Sequence, residues 1–388
     1  MRDPATAYKA VEFFKTEFEL DYLTSTLKKP YIAILDGITM GGGVGLCIHA
    51  PFRVATEKTL FAMPETKIGY FPDVGASFFL SRLDGELGTY LALTGNNLKG
   101  RDVFRLGLAT HYIPSRRVPD LLERLASLEK AKVYSINTAI EEFSQELHSE
   151  EPPIVLKGEV RKVLDDAFGH DTVPQIFAAL ETAKKRGGPA AEWASATLRD
   201  LHMRSPTSLA VALKALRLGK TARRLEQVFA TELLIATAYC NGASRDFEIG
   251  VTAKLEQPKV PDDVRVEWQP STIQDIKPVT IQASFFDRNS PFFGGDKQPT
   301  LDIAVPEETP PSFLRFSLPS EYYVESVVKG TDSKSTPLAL TREEVMNEVL
   351  KTFNWKHGVR EKVDEILDRK TQVLNDPDNV GCLGWVSS

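Results

Sequence analysis

Three consecutive glycines and two acidic side chains form the part of this chain best suited to chemistry. The glycines, at 41–43, follow a predicted apolar strand at 31–36, and Glu65 and Asp73 follow a second apolar stretch at 60–63. A glycine-rich turn that opens a helix offers backbone N–H groups to a developing anion. Two carboxylates on one loop offer acid–base or nucleophilic chemistry. Together these features predict catalysis at a carbonyl group.

Each of these features also has a structural alternative. A Gly-Gly-Gly turn on its own is often only loop geometry, and paired acids on a loop are usually solvated. Glu17, inside the predicted helix 8–28, by itself fits the exposed face of an amphipathic helix. His49 and His111 are interpreted as structural, because neither has the Cys or His spacing of a metal site. No metal ion is therefore expected.

Five stretches of the sequence together carry a resemblance to a known family. They are DGITMGGGVGL at 36–46, FRVATEK at 52–58, FAMPE at 61–65, IGYFPDVG at 68–75 and LTG at 93–95. In them the chain resembles the enoyl-CoA hydratase/isomerase (crotonase) superfamily, and within it most of all the 3-hydroxyisobutyryl-CoA hydrolase branch. Weaker similarity continues through RSPTSL at 204–209 to about residue 253, which covers about two thirds of the chain.

The resemblance implies a role for each of four residues. Gly42 matches the family residue whose backbone N–H forms half of an oxyanion hole for a thioester carbonyl. Glu65 matches the catalytic carboxylate, which in the hydrolase branch is the nucleophile or general base. Asp73 matches a group that holds the substrate hydroxyl or assists proton transfer, and Glu17 matches a pocket glutamate. The implied activity is hydrolysis of the CoA thioester of a 3-hydroxyacyl-CoA in valine catabolism, with CoA as part of the substrate and no separate cofactor.

The residue types at 42 and 65 fit thioester hydrolysis, and Gly45 narrows the choice among the activities of the superfamily. A glycine at 42 lets an acyl group approach the backbone closely. The apolar neighbours of Glu65 in the sequence are expected to raise its pKa, which suits a base near neutral pH. Hydratases of the superfamily carry a second catalytic glutamate where this chain has Gly45. Hydratase or isomerase activity, a third hypothesis, is therefore disfavoured.

The first residues of the chain depart from the family pattern. Members begin with two or more strands and an Ala-Gly-Gly-Asp-like segment that supplies the other oxyanion N–H, whereas this chain directly enters the predicted helix 8–28. Either the sequence is incomplete at its start, or this member has lost half of its oxyanion hole. Residues 1–388 are expected to be a poor enzyme, since one lost oxyanion donor typically costs ~2.7–4 kcal/mol. Smaller departures are Ala76 and Ser77 in place of glycines and Ile249 in place of a glutamate.

Composition is that of an ordinary globular protein. The chain has 388 residues, 42% hydrophobic and 26% charged, enough for one large domain plus an appendage. The net charge of -6 does not favour nucleic acid as a partner. Cys47, Cys240 and Cys382 are too scattered for a disulfide framework, which indicates a reducing compartment. No apolar run is long enough to span a membrane. The acidic N-terminus does not fit a transit peptide, whereas the resemblance implies mitochondria.

The apolar pattern predicts an α/β fold with a layered core, as in crotonases. Predicted strands lie near 31–36, 52–55, 59–62 and 110–113, and predicted helices at 8–28, 76–94, 100–107 and 117–128. Residues 130–256 are predicted to be mostly helical, including helices at 189–203, 207–217 and 222–239. In the superfamily such a helical region covers the active site and supplies oligomer contacts, so the resemblance also implies a homo-oligomer.

The sequence predicts three domains or segments. Residues 1–256 form the crotonase-like core, 257–320 a proline-rich linker or wrapping arm, and 321–388 a helical extension. Ten of the 24 prolines lie in the middle segment, yet its phenylalanine pairs at 285–286 and 292–293 need a surface to cover them. In the last segment Thr341 begins a capping-box pattern, which predicts a helix at 341–370.

The C-terminal extension supports a hypothesis of a different class. A hydrolase-like protein with such a tail occurs as a subunit of the fungal mitochondrial small ribosomal subunit, and this chain resembles that arrangement. The tail would then be a docking arm, and the core need not be catalytic. Basic residues at 184–186 and 220–224 would contact RNA; the alternative is that they are solvated helix faces.

Overall fold

Short strands carry the glycine turn and the two acidic residues of interest. The computed structural model describes residues 7–130, 132–146, 151, 154–295, 298–306, 312–331, 339–374 and 379–386. The strands of the core are β1 Ile32–Leu35, β2 Ile38–Met40, β3 Phe52–Ala55, β4 Leu60–Ala62, β5 Leu98–Lys99 and β6 His111–Tyr112. Each strand predicted in this part of the sequence contains an observed one.

The six core strands form two small sheets of three strands each. In the first sheet β1 and β6 flank β3, all parallel, and Ile32 is in register with Phe52. In the second sheet β2 runs parallel to β4 and β5 runs antiparallel to it. Only two residues, Asp36 and Gly37, separate β1 from β2. The chain therefore passes from one sheet to the other immediately before the glycine turn.

Helices surround these sheets and make up most of the remaining chain. They are α1 Ala7–Ser25, α2 Gly42–Ile48, α3 Ala76–Phe79, α4 Leu87–Thr94, α5 Arg101–Arg105, α6 Val118–Ala126, α7 Val133–Glu141, α8 Gly158–Phe168, α9 Val173–Lys184, α10 Gly188–Met203, α11 Pro206–Thr221, α12 Leu225–Cys240, α13 Asp246–Leu255, α14 Pro278–Phe285, α15 Glu321–Val328, α16 Arg342–Thr352 and α17 Val359–Lys370. A small antiparallel pair, β7 Thr371–Val373 and β8 Leu383–Trp385, follows α17. The predicted α/β class is confirmed, and the region after the core is helical as expected.

Two of the predicted helices are interrupted. The helix predicted at 76–94 is divided into α3, a 3-10 turn and α4, because the chain is extended at Leu83 and left-handed at Gly85. The helix predicted at 341–370 is divided into α16 and α17, because Asn354, Trp355 and Gly358 have positive φ angles. The predicted capping box at Thr341 is present at the start of α16.

Helices α1 and α12 lie against each other beside the glycine turn. The Phe18 ring of α1 is 5.7 Å from the Phe229 ring of α12, and Tyr22 packs edge-on against the same ring at 6.4 Å. Helix α1 also contacts α2, which begins at the glycines. The two long helices thus hold their polar residues against the turn.

The C-terminal segments pack on the core through a buried arginine. Arg53, on β3, is fully buried, and its Nη1 donates hydrogen bonds to the carbonyl oxygens of Ala50 and Phe313 at 2.6 and 2.8 Å. Its Nη2 donates to the Ser317 hydroxyl at 3.4 Å. Because an unpaired buried guanidinium is costly, the tail residues complete the hydrogen bonding of a core side chain.

Other residues of the C-terminal segments also contact the core, through the Asp84 carboxylate and through buried aromatic rings. The Asp84 carboxylate accepts hydrogen bonds from the Glu321 backbone N–H at 2.8 Å and the Lys362 ammonium at 2.6 Å. The rings of Phe285 and Phe293 are buried in the main hydrophobic cluster, as the sequence required of these pairs. The described part of 257–320 therefore wraps the core, while the three domain boundaries stay a prediction. No helix in the described ranges is long and apolar enough to cross a membrane.

Candidate active site

The glycine turn brings bare backbone against two carboxyl groups. Strand β2 ends at Met40, Gly41 has a φ of 51°, and α2 starts at Gly42. A Cβ atom at Gly41 would lie 3.0 Å from Oε1 of Glu65, and one at Gly42 would overlap Oε1 of Glu17. The positive φ explains the glycine at 41, and a side chain at 41 or 42 would displace one of the two carboxyl groups.

Glu65 is a buried carboxyl at the start of a short 3-10 helix, Glu65–Ile68, directly after β4. Only 6% of its surface is exposed, and Oε2 has no hydrogen-bond partner in the part of the chain that the structure describes. Burial raises its pKa to about 8, and the negative charge of Glu17 adds to this, while a backbone hydrogen bond opposes it. Such a group exchanges its proton close to neutral pH, as a general acid or base must.

Asp73 lies in the loop that follows, and it is 5% exposed. Burial raises its pKa well above the ordinary value, and the charges of Glu65 and Glu17 raise it further. Like charges repel most strongly at short range in a medium of low polarity, so the three carboxyl groups are electrostatically coupled. Val74, the residue after Asp73, also packs against Gly45 of α2. Asp73 therefore shares its surroundings with both other predicted acids.

Glu17 is half-buried, and burial raises its pKa. It is therefore not on the exposed face of α1, which was the alternative left open by the sequence. The structure brings together all four predicted residues, Gly42, Glu65, Asp73 and Glu17. Their catalytic roles remain predictions.

A fifth residue of the cluster, Asp21, was missed from the sequence. It lies one helical turn after Glu17 on α1 and is fully buried, and neither of its carboxylate oxygens has a hydrogen-bond partner in the described ranges. Burial raises its pKa to about 8, with added repulsion from Glu17 and Glu232. Two acids four residues apart on one helix face were the signal that could have identified it.

The space beside Gly45 is occupied. A Cβ atom at this position would overlap Oδ2 of Asp21 and lie 2.7 Å from Cβ of Val74. A glutamate side chain at 45 therefore does not fit without a rearrangement of α1 or of the Asp73 loop. The carboxyl group nearest to this position comes from Asp21 instead.

A sixth residue, Glu232 of α12, holds the loop of Asp73. Its Oε2 accepts the Gly75 N–H at 2.7 Å, and its Oε1 accepts the Ser77 N–H at 3.0 Å and the Ser77 hydroxyl at 2.6 Å. Burial raises its pKa to about 7, although these hydrogen bonds oppose the rise. No local motif marks this residue, because its partners are mainly backbone groups far away in the sequence.

His49 and His111 are buried core side chains, and the His49 ring packs against Gly75 in the loop of Asp73. Burial lowers the pKa of His49 to about 3, and its ring packs edge-on against Phe79 and Phe229. Burial also lowers the pKa of His111 to about 4, and Nε2 lies 3.0 Å from Glu141. Both are neutral core side chains at physiological pH.

The fold and the position of the glycine turn define a crotonase-type protein. The chain superimposes on a solved carnitinyl-CoA dehydratase from Mycobacterium thermoresistibile with a TM-score of 0.60 at 31% identity, covering 74% of this chain and 79% of that one. A solved enoyl-CoA hydratase from Rhodobacter sphaeroides gives a TM-score of 0.59 at 26% identity, over 73% of this chain and 75% of that one.

Sequence comparison gives the family. A model of the enoyl-CoA hydratase/isomerase family matches residues 1–285, and the chain belongs to this family. It is 41% identical over 377 residues to the small ribosomal subunit protein mS47 of Neurospora crassa, covering 94% of this chain and 70% of that protein. It is 40% identical over 274 residues to the mitochondrial 3-hydroxyisobutyryl-CoA hydrolase of Danio rerio, covering 70% of this chain and 68% of that protein. Family membership supports an enzyme that acts on CoA thioesters.

Proposed function

We propose that this protein hydrolyses the CoA thioester of a 3-hydroxyacyl-CoA, which is the activity stated in the name of its 3-hydroxyisobutyryl-CoA hydrolase relatives. The observation that carries the proposal is the position of Glu65. Its carboxyl group is buried, lies against the backbone of the glycine turn and has a pKa near 8. A thioester carbonyl bound at this turn would have its carbon within reach of that carboxyl group.

In the proposed reaction, the Gly42 N–H donates a hydrogen bond to the carbonyl oxygen as negative charge develops there. The Glu65 carboxylate then either removes a proton from a water molecule that attacks the carbonyl carbon, or attacks this carbon itself. In the second case an acyl–glutamate anhydride forms as the thioester is cleaved, and a water molecule then hydrolyses it to restore Glu65. The carbon–sulfur bond breaks, and the CoA sulfur leaves and takes up a proton. Overall, one water molecule is consumed and a carboxylic acid and free CoA are formed. The reaction as proposed uses no metal ion.

Asp73 and Glu17 complete the site in this proposal. Asp73 is buried beside Glu65 and accepts or shares a hydrogen bond with the 3-hydroxyl group of the substrate. Glu17 lies beside the glycine turn, with Oε1 against Gly42. Buried groups that pair with a substrate hydroxyl discriminate strongly against analogues without it, because the site is then left with an unpaired polar group.

Hydrolysis is favoured over hydration by the surroundings of Gly45. Hydration needs a second acidic side chain to handle a proton, and the space beside this glycine is filled by Asp21 and Val74. The Asp21 carboxyl does lie there, so a test must include an enoyl-CoA.

The proposal is tested by measuring release of free CoA with a thiol-reactive dye. Three substrates are compared: 3-hydroxyisobutyryl-CoA, isobutyryl-CoA, which lacks only the hydroxyl, and an enoyl-CoA assayed for hydration. The expected result is thioester hydrolysis with the highest kcat/KM for the hydroxylated substrate. Hydration of the enoyl-CoA without release of CoA would overturn the proposal.

A second candidate function is favoured by the length of the sequence match to the protein mS47. The match to the protein mS47 covers 94% of this chain and so reaches beyond residue 285, where the family model ends. The alternative proposal is that the protein is a hydrolase-like subunit of the mitochondrial small ribosomal subunit. Sedimentation of tagged protein with the small subunit of mitochondrial ribosomes in a sucrose gradient is expected in that case. Recovery only in low-mass fractions would exclude it. Both functions place the protein in mitochondria.

A further inference from the structure

The loop that carries Asp73 has an unfavourable backbone conformation. Val74 has a φ of 55° and Gly75 a φ of 82°, so two successive residues are left-handed. A β-branched residue rarely adopts this conformation, and such strain persists only where the surrounding structure over-determines it. The loop therefore needs an external support.

Part of the support for this turn comes from its own hydrogen bonds and packing. The Asp73 carbonyl oxygen accepts the Ala76 N–H at 2.8 Å, which closes a turn around Val74 and Gly75. Gly75 is packed tightly, because a Cβ atom there would lie 2.6 Å from the His49 ring and 3.2 Å from the Phe229 ring. His49 also hydrogen-bonds with the backbone of Val74.

The Glu232 carboxylate adds hydrogen bonds to the turn from another helix. Its two oxygens accept three hydrogen bonds from the turn, at 2.6 to 3.0 Å, two of them from the backbone N–H groups of Gly75 and Ser77. It is fully buried, and its described hydrogen-bond partners are all donors of this turn. Helix α12, packed on α1 through Phe229, thus clamps the loop from a separate element of the fold.

We propose that Glu232 is a positioning residue, which holds Asp73 in the orientation that recognises the substrate hydroxyl by clamping the turn at 73–77. The inference rests on the proposed function for the role of Asp73. Glu232 itself does not touch the substrate. Its loss should therefore reduce discrimination for the hydroxylated substrate and leave the chemistry at Glu65 comparatively intact.

Replacement of Glu232 by glutamine tests the hydrogen bonds to the turn without changing the size of the side chain. Glu232→Gln preserves the size of the side chain, but its amide group can accept at only one position and presents N–H groups to the donors at the other. Ser77→Ala is a graded variant, because it removes one hydrogen bond and retains both backbone contacts. Glu226→Gln is the matched control on the same helix, where the carboxylate pairs with Arg224 instead of the turn.

The first experiment compares kcat/KM for 3-hydroxyisobutyryl-CoA and isobutyryl-CoA in each variant. Glu232→Gln is expected to lower the ratio of the two values about tenfold, the factor that one hydrogen bond to a charged group carries. Ser77→Ala should lower it less, and Glu226→Gln should not change it. In an Asp73→Asn background, Glu232→Gln should have no further effect on the ratio. Equal losses for both substrates, or an undiminished effect without Asp73, would overturn the inference.

A second measurement is independent of turnover. Amide hydrogen exchange at 73–77, followed by mass spectrometry, should be faster in Glu232→Gln than in wild type, with α1 and α2 unchanged. If the wild-type chain hydrolyses neither thioester, the proposed function fails, while this comparison still decides whether Glu232 holds the turn. Unchanged exchange in a folded Glu232→Gln variant would contradict the clamp.

Discussion

Replacement of Glu65 by glutamine is expected to stabilise the fold while it abolishes the chemistry. The folded protein raises the pKa of this carboxyl group from 4.5 to about 8 because the group is buried. Between these two values the unfolded chain releases a proton that the folded protein must keep. Retention of this proton lowers the free energy of unfolding, and the loss of stability grows as the pH rises from 4.5 to about 8.

The loss of folding stability can be calculated from the pKa shift of Glu65. Each pKa unit corresponds to about 1.4 kcal/mol, so at pH 7 the proton retained by Glu65 costs about 3 kcal/mol of folding free energy. The cost is close to zero below pH 4.5, where both states hold the proton, and is fully developed above pH 8. Glutamine has nearly the same volume and does not titrate, so the variant escapes this cost.

Urea unfolding followed by tryptophan fluorescence at pH 5 and pH 8 measures the difference directly. Glu65→Gln should be more stable than wild type by about 3 kcal/mol or more at pH 8 and only slightly more stable at pH 5. Glu129→Gln, which changes an exposed glutamate, is the control and should behave as wild type at both values. A stability difference that is independent of pH, or a less stable Glu65→Gln variant, would refute the argument that Glu65 is a buried carboxyl with a raised pKa.

Three further substitutions or deletions test other parts of the account. Asp73→Asn should reduce kcat/KM for 3-hydroxyisobutyryl-CoA by about ten- to a hundredfold more than for isobutyryl-CoA, the range of one or two lost polar contacts; equal losses would argue against a role in hydroxyl recognition. Gly42→Ala should lower turnover, since the added methyl group overlaps the Glu17 carboxyl, and full activity of a folded variant would contradict the packing at the turn. Deletion of 258–388 should lower the melting temperature and thioester hydrolysis together, because it removes the partners of Arg53; unchanged stability would show that the tail is an independent docking arm.

Four of the six core strands and the glycine turn were predictable because their signals are local, whereas the short strands β2 and β5 were missed. Apolar runs that end in glycine or proline specify short buried strands, and the family motifs place Gly42 and Glu65 at defined points after them. The breaks in two helices were not predictable. Asp84, beside the first break, binds Glu321 and Lys362, which lie far along the chain. A local pattern contains no information about such partners.

The site was only partly accessible to sequence reasoning for a related reason. Glu17, Glu65 and Asp73 were identified from their match to family motifs, and the structure places them in one cluster. Asp21 had a usable signal, its spacing from Glu17 on one helix face, whereas Glu232 had none. A glutamate that binds backbone N–H groups of a distant turn resembles any other helix residue until the packing of α12 is known.

The most direct test of the central claim is the pH dependence of thioester hydrolysis by wild type and by Glu65→Gln, measured in single turnover with 3-hydroxyisobutyryl-CoA. The wild-type rate should rise with pH through an apparent pKa near 8, because the charged carboxylate is the reactive form. The Glu65→Gln rate should be about 10²–10⁴-fold lower and should not follow this titration. A Glu65→Gln variant that retains the wild-type rate and pH profile would contradict the account.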